Sequence, residues 1–172
     1  MANRYWVGGT AAWDGTAGTK WALTSGGAGG QAVPTSADDV FFDAASGANT
    51  VTISAGNTGA KSITCTGFTG TLAGSAAISV SGSVTMAAGM TVTYTGIITF
   101  IATGTLTSAG KTLSSIFIDG VGITVSLGDA YTSVSGASIG LTNGTFNLNG
   151  FTATPSRFTS SNLNTRAVTF GS

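Results

Sequence analysis

Six aspartates and six basic side chains are the whole charged chemistry of this 172-residue chain, which has no histidine, no glutamate and one cysteine. Asp119 and Asp129 are the first pair to weigh. Glycoside hydrolysis needs two carboxylates about 5–10 Å apart, and these two can face one groove from neighbouring strands. Each also sits in a turn phrase, "IDG" and "GDA", where aspartate bonds nearby backbone. The turn reading is preferred, because no Lys or Arg stands near to hold a charged polysaccharide. Asp38, Asp39 and Asp43 form the other acidic group, in "ADDVFFD". Calcium wants about six to eight oxygens, and the spacing of a calcium-binding loop is missing, so strand-end turn chemistry is expected there too. Without histidine no Ser-His-Asp triad forms. Without a Cys/His cluster no zinc site forms. The expectation is a protein with no catalytic residues, no cofactor and no metal. Cys65 stands alone, has no disulfide partner, and reads as a small buried apolar residue.

Charged residues are 7% of the chain and net charge is zero, against about 25% charged in an average domain. No basic footprint for nucleic acid exists. A hydrophobic fraction of 42% argues against disorder. No run of eighteen apolar residues exists, so no membrane span is expected. The opening "MANRYWVGGT" has no apolar core of a secretory signal, and folding in a cytoplasm is expected.

Short alternating stretches must position everything. "VTI" from Val51, "ISV" from Ile78, "VTY" from Val92 and "ITVSL" from Ile123 alternate apolar residues with Thr or Ser, the period of a half-buried strand. Glycines and Asn-Gly or Asp-Gly pairs punctuate them. A phrase beginning at Gly82 returns at Gly104 and Gly136. That alignment puts Val84, Leu106 and Ile139 in one register, with Val92, Leu113 and Phe146 in another. A recurrence near 20 residues marks stacked units. The fold expected is all-β: a parallel β-solenoid of about six turns over residues 46–172, with a β-sandwich as the alternative. Thr and Ser stack outward, and the low charge follows, because like charges about 4.8 Å apart repel. Residues 1–45 carry all three tryptophans, Trp6, Trp13 and Trp21, and read as a separate aromatic N-terminal cap. Two readings of those tryptophans stay open: core of the cap, or exposed anchors that bind a partner. The C-terminal "AVTFGS" looks like a strand with nothing after it, an end expected to be covered by a partner or by further chain.

"RYWVGGT", "VPTSADDVFFD", "GFTGTL", "ATGTLTSAGKTL" and "NLNGFTAT" resemble Gly/Thr-rich, β-helical structural proteins of tailed phages, of the fibre, spike or decoration kind. The opening and "PTSADDV" are the distinctive parts. The resemblance implies a non-enzymatic virion protein, assembled in the host cytoplasm. It would attach through residues 1–45 to other capsid or tail proteins and form a homo-oligomer, a trimer among the options. It supplies no catalytic motif. The alternative is a receptor- or glycan-binding module that meets a host-surface glycan. A polysaccharide-degrading tailspike stands third.

Overall fold

The computed structural model describes residues 2–57 and 59–171. They contain no α-helix; one turn of 3-10 helix, Ala44–Ser46, is the only helical element among them. Every strand pair but one is parallel, so the chain is a parallel β-solenoid and not a sandwich. The repeat is read directly from the ladder. Val40, Ile63, Val84 and Leu106 stack in register. Gly104, Val125, Phe146 and Val168 continue the same face. The step is 21–23 residues, which is one turn, and there are about six turns.

Each turn visits three faces. The first is a nine-stranded sheet running the length of the rod. The second carries a four-stranded and a three-stranded sheet, interrupted between Val92 and Leu113. The third is a five-stranded sheet, in which Ile78, Ile98, Ile116, Ile139 and Phe158 stack. Two of the expected columns are thereby corrected: Phe146 stacks on Val125 in the first sheet, whereas Val92 and Leu113 lie on the second face. Val84 and Leu106 share a column, but Ile139 stacks on Ile116 in the third sheet. The 32 residues from Gly104 to Gly136 are one and a half turns. The phrases look alike because every face uses the same apolar–hydroxyl alternation.

Inward residues form one continuous core from Trp6 to Phe146. Outward residues form hydroxyl columns. Thr50, Thr71 and Thr91 stack on the second face, and Thr112, Thr132 and Thr154 follow beyond the interruption. Two tyrosines serve the interior: Tyr94 Oη donates to the carbonyls of Ala76 at 2.6 Å and Ile97 at 3.1 Å. Tyr131 Oη donates to Ser114 O at 3.0 Å. Buried corner carbonyls are thereby satisfied.

The first strands do not form a separate unit. β1 (Asn3–Trp6), β2 (Ala11–Trp13) and β4 (Asp39–Phe41) lie in the same sheets as the later turns. The expected boundary at residue 45/46 falls in the 3-10 turn, and strands on its two sides pair with one another, β2 with Thr50–Ile53 and β4 with Ser62–Thr64. The capping element is smaller: β3 (Trp21–Ala22), which pairs with β1 in the one antiparallel ladder. It reverses the chain over the outermost edge and closes it. No helix among the described residues is long and apolar enough to cross a membrane.

Candidate functional site

The three tryptophans have no exposed surface. They pack as an aromatic plug. Trp6 and Trp21 meet edge to face with centroids 5.0 Å apart, Trp13 and Trp21 at 5.4 Å, and Phe42 lies 5.9–6.3 Å from all three. Phe42 hands the stack on to Phe68 at 5.7 Å. Trp6 Nε1 donates to Gly9 O at 2.9 Å, while the indole N–H groups of Trp13 and Trp21 have no conventional acceptor. Edge-to-face packing lets an N–H meet a π face instead. Of the two readings the sequence left open, the geometry gives the first: these rings fill the head of the rod and present nothing to a partner. The aromatic pair that does face outward was not picked out in the sequence. Tyr5 and Phe41 are adjacent in register on the outer side of the first sheet, stacked at 4.7 Å with 15° between planes. Alternation along β1 and β4 could have revealed it, since Trp6 inward forces Tyr5 outward.

Every aspartate singled out above is occupied in holding the fold. Asp129 bridges two turns: its Oδ1 accepts from Ser108 N at 2.7 Å and its Oδ2 from Ala109 N at 2.6 Å. Asp119 Oδ1 accepts from Asn143 Nδ2 at 2.9 Å, one turn away. The two carboxylates sit at different corners, with the strand Thr124–Leu127 between them. Each carboxylate is engaged by its own corner, Asp129 by two backbone N–H groups and Asp119 by the Asn143 amide. Ser108 and Lys111 do have a Ser-x-x-Lys spacing, but it builds no nucleophile. Ser108 is buried, and its Oγ donates to Ala130 O at 2.9 Å and accepts from Gly110 N at 3.2 Å.

The acidic group at 38–43 is divided the same way. Asp39 pairs with Lys61 at 3.1 Å. Asp43 caps the 3-10 turn, accepting from Ala45 N and Ser46 N in a capping box. Asp38 is buried and ties the N-terminus down: Ala2 N donates to Oδ1 at 2.7 Å, and Thr35 N and Oγ1 donate to Oδ2 at 3.1 and 2.9 Å. No three ligating side chains converge on a metal position among the described residues. Burial raises the Asp38 pKa, but the Thr35 and Ala2 hydrogen bonds and the Arg4 charge outweigh it, and the net shift is downward. A depressed folded pKa stabilises above the unfolded carboxylate value, near 3.9, and that stabilisation disappears as pH falls through the folded pKa. The expected result is that β1 loosens below about pH 4, seen as amide exchange at residues 3–6, and that Asp38→Asn is already loose at pH 6 and responds less to acid. Equal acid sensitivity in both chains would refute the link. Cys65 is fully buried, and its thiol is pushed up to about 12 by desolvation, as suits a small apolar core residue.

What remains is the contrast between the two ends. The head is closed by β3 and the aromatic plug. At the tail, the strands Ala153–Thr154, Arg157–Thr159 and Arg166–Thr169 have no partner beyond them among the described residues. Phe158, Val168 and Phe170 are 44%, 39% and 71% exposed. They rim an apolar cavity of about 300 Å³ that reaches down to Ile139 and Phe146. Set against known proteins, the chain matches no family model, no curated protein and no solved structure.

Proposed function

We propose that the chain is a non-enzymatic structural rod of a tailed-phage particle, in contact with other capsid or tail proteins and with sister copies. One observation supports the structural half of this reading: the three tryptophans are buried, and each carboxylate weighed for chemistry is hydrogen-bonded or ion-paired within the fold, Asp119 from an exposed corner. What is left is a stiff solenoid with a neutral hydroxyl surface. The phage setting rests on the sequence resemblance. Attachment through the N-terminal turns cannot use the buried tryptophans. The outward Tyr5–Phe41 stack is the aromatic surface those turns offer, and aromatic side chains are the usual anchors of an interface.

A chain beginning at residue 46 would lack β1, β2 and β4, so deletion cannot separate folding from attachment. The discriminating experiment is mass spectrometry of purified particles from cells that express either the parent chain or the double variant Tyr5→Ser, Phe41→Ser. The parent should co-purify at stoichiometric level, and the variant should stay soluble and β-rich yet fall at least tenfold in particles. Particles that lack the parent chain would refute the virion reading. Equal incorporation of the variant would refute the anchor.

A further inference from the structure

One corner of the solenoid is built differently from the rest. The link from the third sheet back to the first takes residues 81–83, 101–103, 119–123 and 142–143 in successive turns, but 160–165 in the last. This longest link is also the most heavily braced. Arg166 spends its guanidinium on it: Nε donates to Ser160 Oγ, Nη2 to Ser160 O at 2.7 Å, and Nη1 to Asn162 Oδ1 and Asn164 O, both at 2.7 Å. Asn164 Nδ2 then donates to Thr142 O at 3.1 Å and locks the loop to the corner beneath. Three of these acceptors are backbone or amide carbonyl oxygens, so the arginine positions a loop rather than neutralising a charge.

The braced loop overhangs a gap in the outer face of the third sheet. The gap exists because Gly140 stands in the outward column, between Phe117 and Thr159. A side chain at Gly140 would put its Cβ 2.7 Å from Phe117 Cδ1, so the Phe117 ring lies against the bare backbone there. The result is a groove of about 190 Å³ lined by Phe117, Thr142, Thr159, Ser160, Ser161 and Asn162. Gly140 and Leu141 form its floor, and its chemistry is one aromatic ring beside four hydroxyls and an amide, of which Ser160 Oγ and Asn162 Oδ1 already accept from Arg166. A cation finds no carboxylate there, and the Arg166 donors that would draw an anion are spent on the loop behind the lining. An apolar ligand leaves the hydroxyls unpaired, which is costly. A ring with an apolar C–H side and hydroxyls around its edge satisfies both. The volume lies below the usual range for drug-sized ligands, so it takes one ring and not two.

We propose that this groove binds a single neutral sugar ring, with Phe117 under its C–H face and the Thr142, Thr159 and Ser161 hydroxyls at its edge. The site stands independently of the particle reading, since it needs only the chain itself. Preorganisation by Arg166 lowers the ordering cost that a mobile loop would impose on binding. The test is saturation-transfer NMR on the whole chain with free glucose, galactose, mannose and N-acetylglucosamine. At least one should saturate with a Kd of about 1–10 mM. Ser161→Arg fills the groove from an exposed loop position, and it should weaken that sugar more than tenfold without moving the melting temperature. Arg166→Gln should weaken it as well and raise amide exchange at residues 160–164. If none of the four sugars saturates below about 100 mM, or if Ser161→Arg binds like the parent chain, the proposal is overturned.

Discussion

Trp21→Ala is expected to lower the unfolding free energy of the isolated chain by about 3–5 kcal/mol. Trp21 is fully buried and sits at the centre of the plug, touching Trp6, Trp13 and Phe42. Its N–H has no conventional acceptor, so the loss is almost wholly packing and cavity. The site cannot collapse easily, because β3 is pinned on both sides: Trp21 pairs with Trp6 in the ladder, and Gln31 N donates to Trp21 O at 3.0 Å. Urea unfolding followed by far-ultraviolet circular dichroism gives the number. The same experiment separates the two roles a tryptophan could have here. A docking anchor would leave the isolated chain as stable as before, so a change below about 1 kcal/mol would return Trp21 to the surface reading.

Gly74→Ala should be almost as damaging, for a different reason. Gly74 has φ +109°, where an L side chain is strained by about 1–3 kcal/mol. It also pairs in register with Ile53 of the turn beneath. A Cβ at Gly74 would run into the Ile53 carbonyl oxygen and come within 2.7 Å of its nitrogen. Both are backbone atoms of a paired strand, so relief requires two turns to part. The expected loss is about 3 kcal/mol or more, a fall in Tm of roughly 6–12 °C for a domain of this size. Gly136→Ala is the control. Its φ is +81° but nothing lies within 4 Å of the new Cβ, so only the strain is felt, about 1 kcal/mol. If the two alanines cost the same, close approach between turns is not what fixes Gly74.

The architecture was legible because a solenoid writes its period into the chain. Thr and Ser alternate with Val, Ile and Leu, and the Val84–Leu106 step gives the turn length without any long-range information. The third phrase misled for the same reason. A period-two pattern cannot say which of three faces a strand belongs to, and Ile139 satisfies the third sheet as well as the first. The head was legible only in composition. That three tryptophans cap something is evident from their density, but that they point inward depends on β3 turning back over β1, a reversal that a strand of only two residues, Trp21–Ala22, does not announce. The groove was not legible at all. It needs Gly140 to fall between Phe117 and Thr159 on adjacent turns, about 20 residues apart in sequence, and it needs Arg166 to reach back to a loop that reads as featureless Ser and Asn.

The closed head has a consequence for the order in which the chain is made. Residues 2–53 hold the plug and the first paired strands, and they leave the ribosome before any later turn exists. Each strand from Ser62–Thr64 onward that has a partner made before it finds that partner one turn earlier, 18–23 residues back in the chain. At translation speeds of about 5–20 residues per second, a turn emerges every ~1–4 s, far slower than a short strand needs to find a waiting edge. Growth is therefore templated in one direction, and a mistake in register at one turn is inherited by every turn above it. Missense changes near the head should depress the yield of native chain more than equally buried changes near the tail, even where the two cost the finished rod the same.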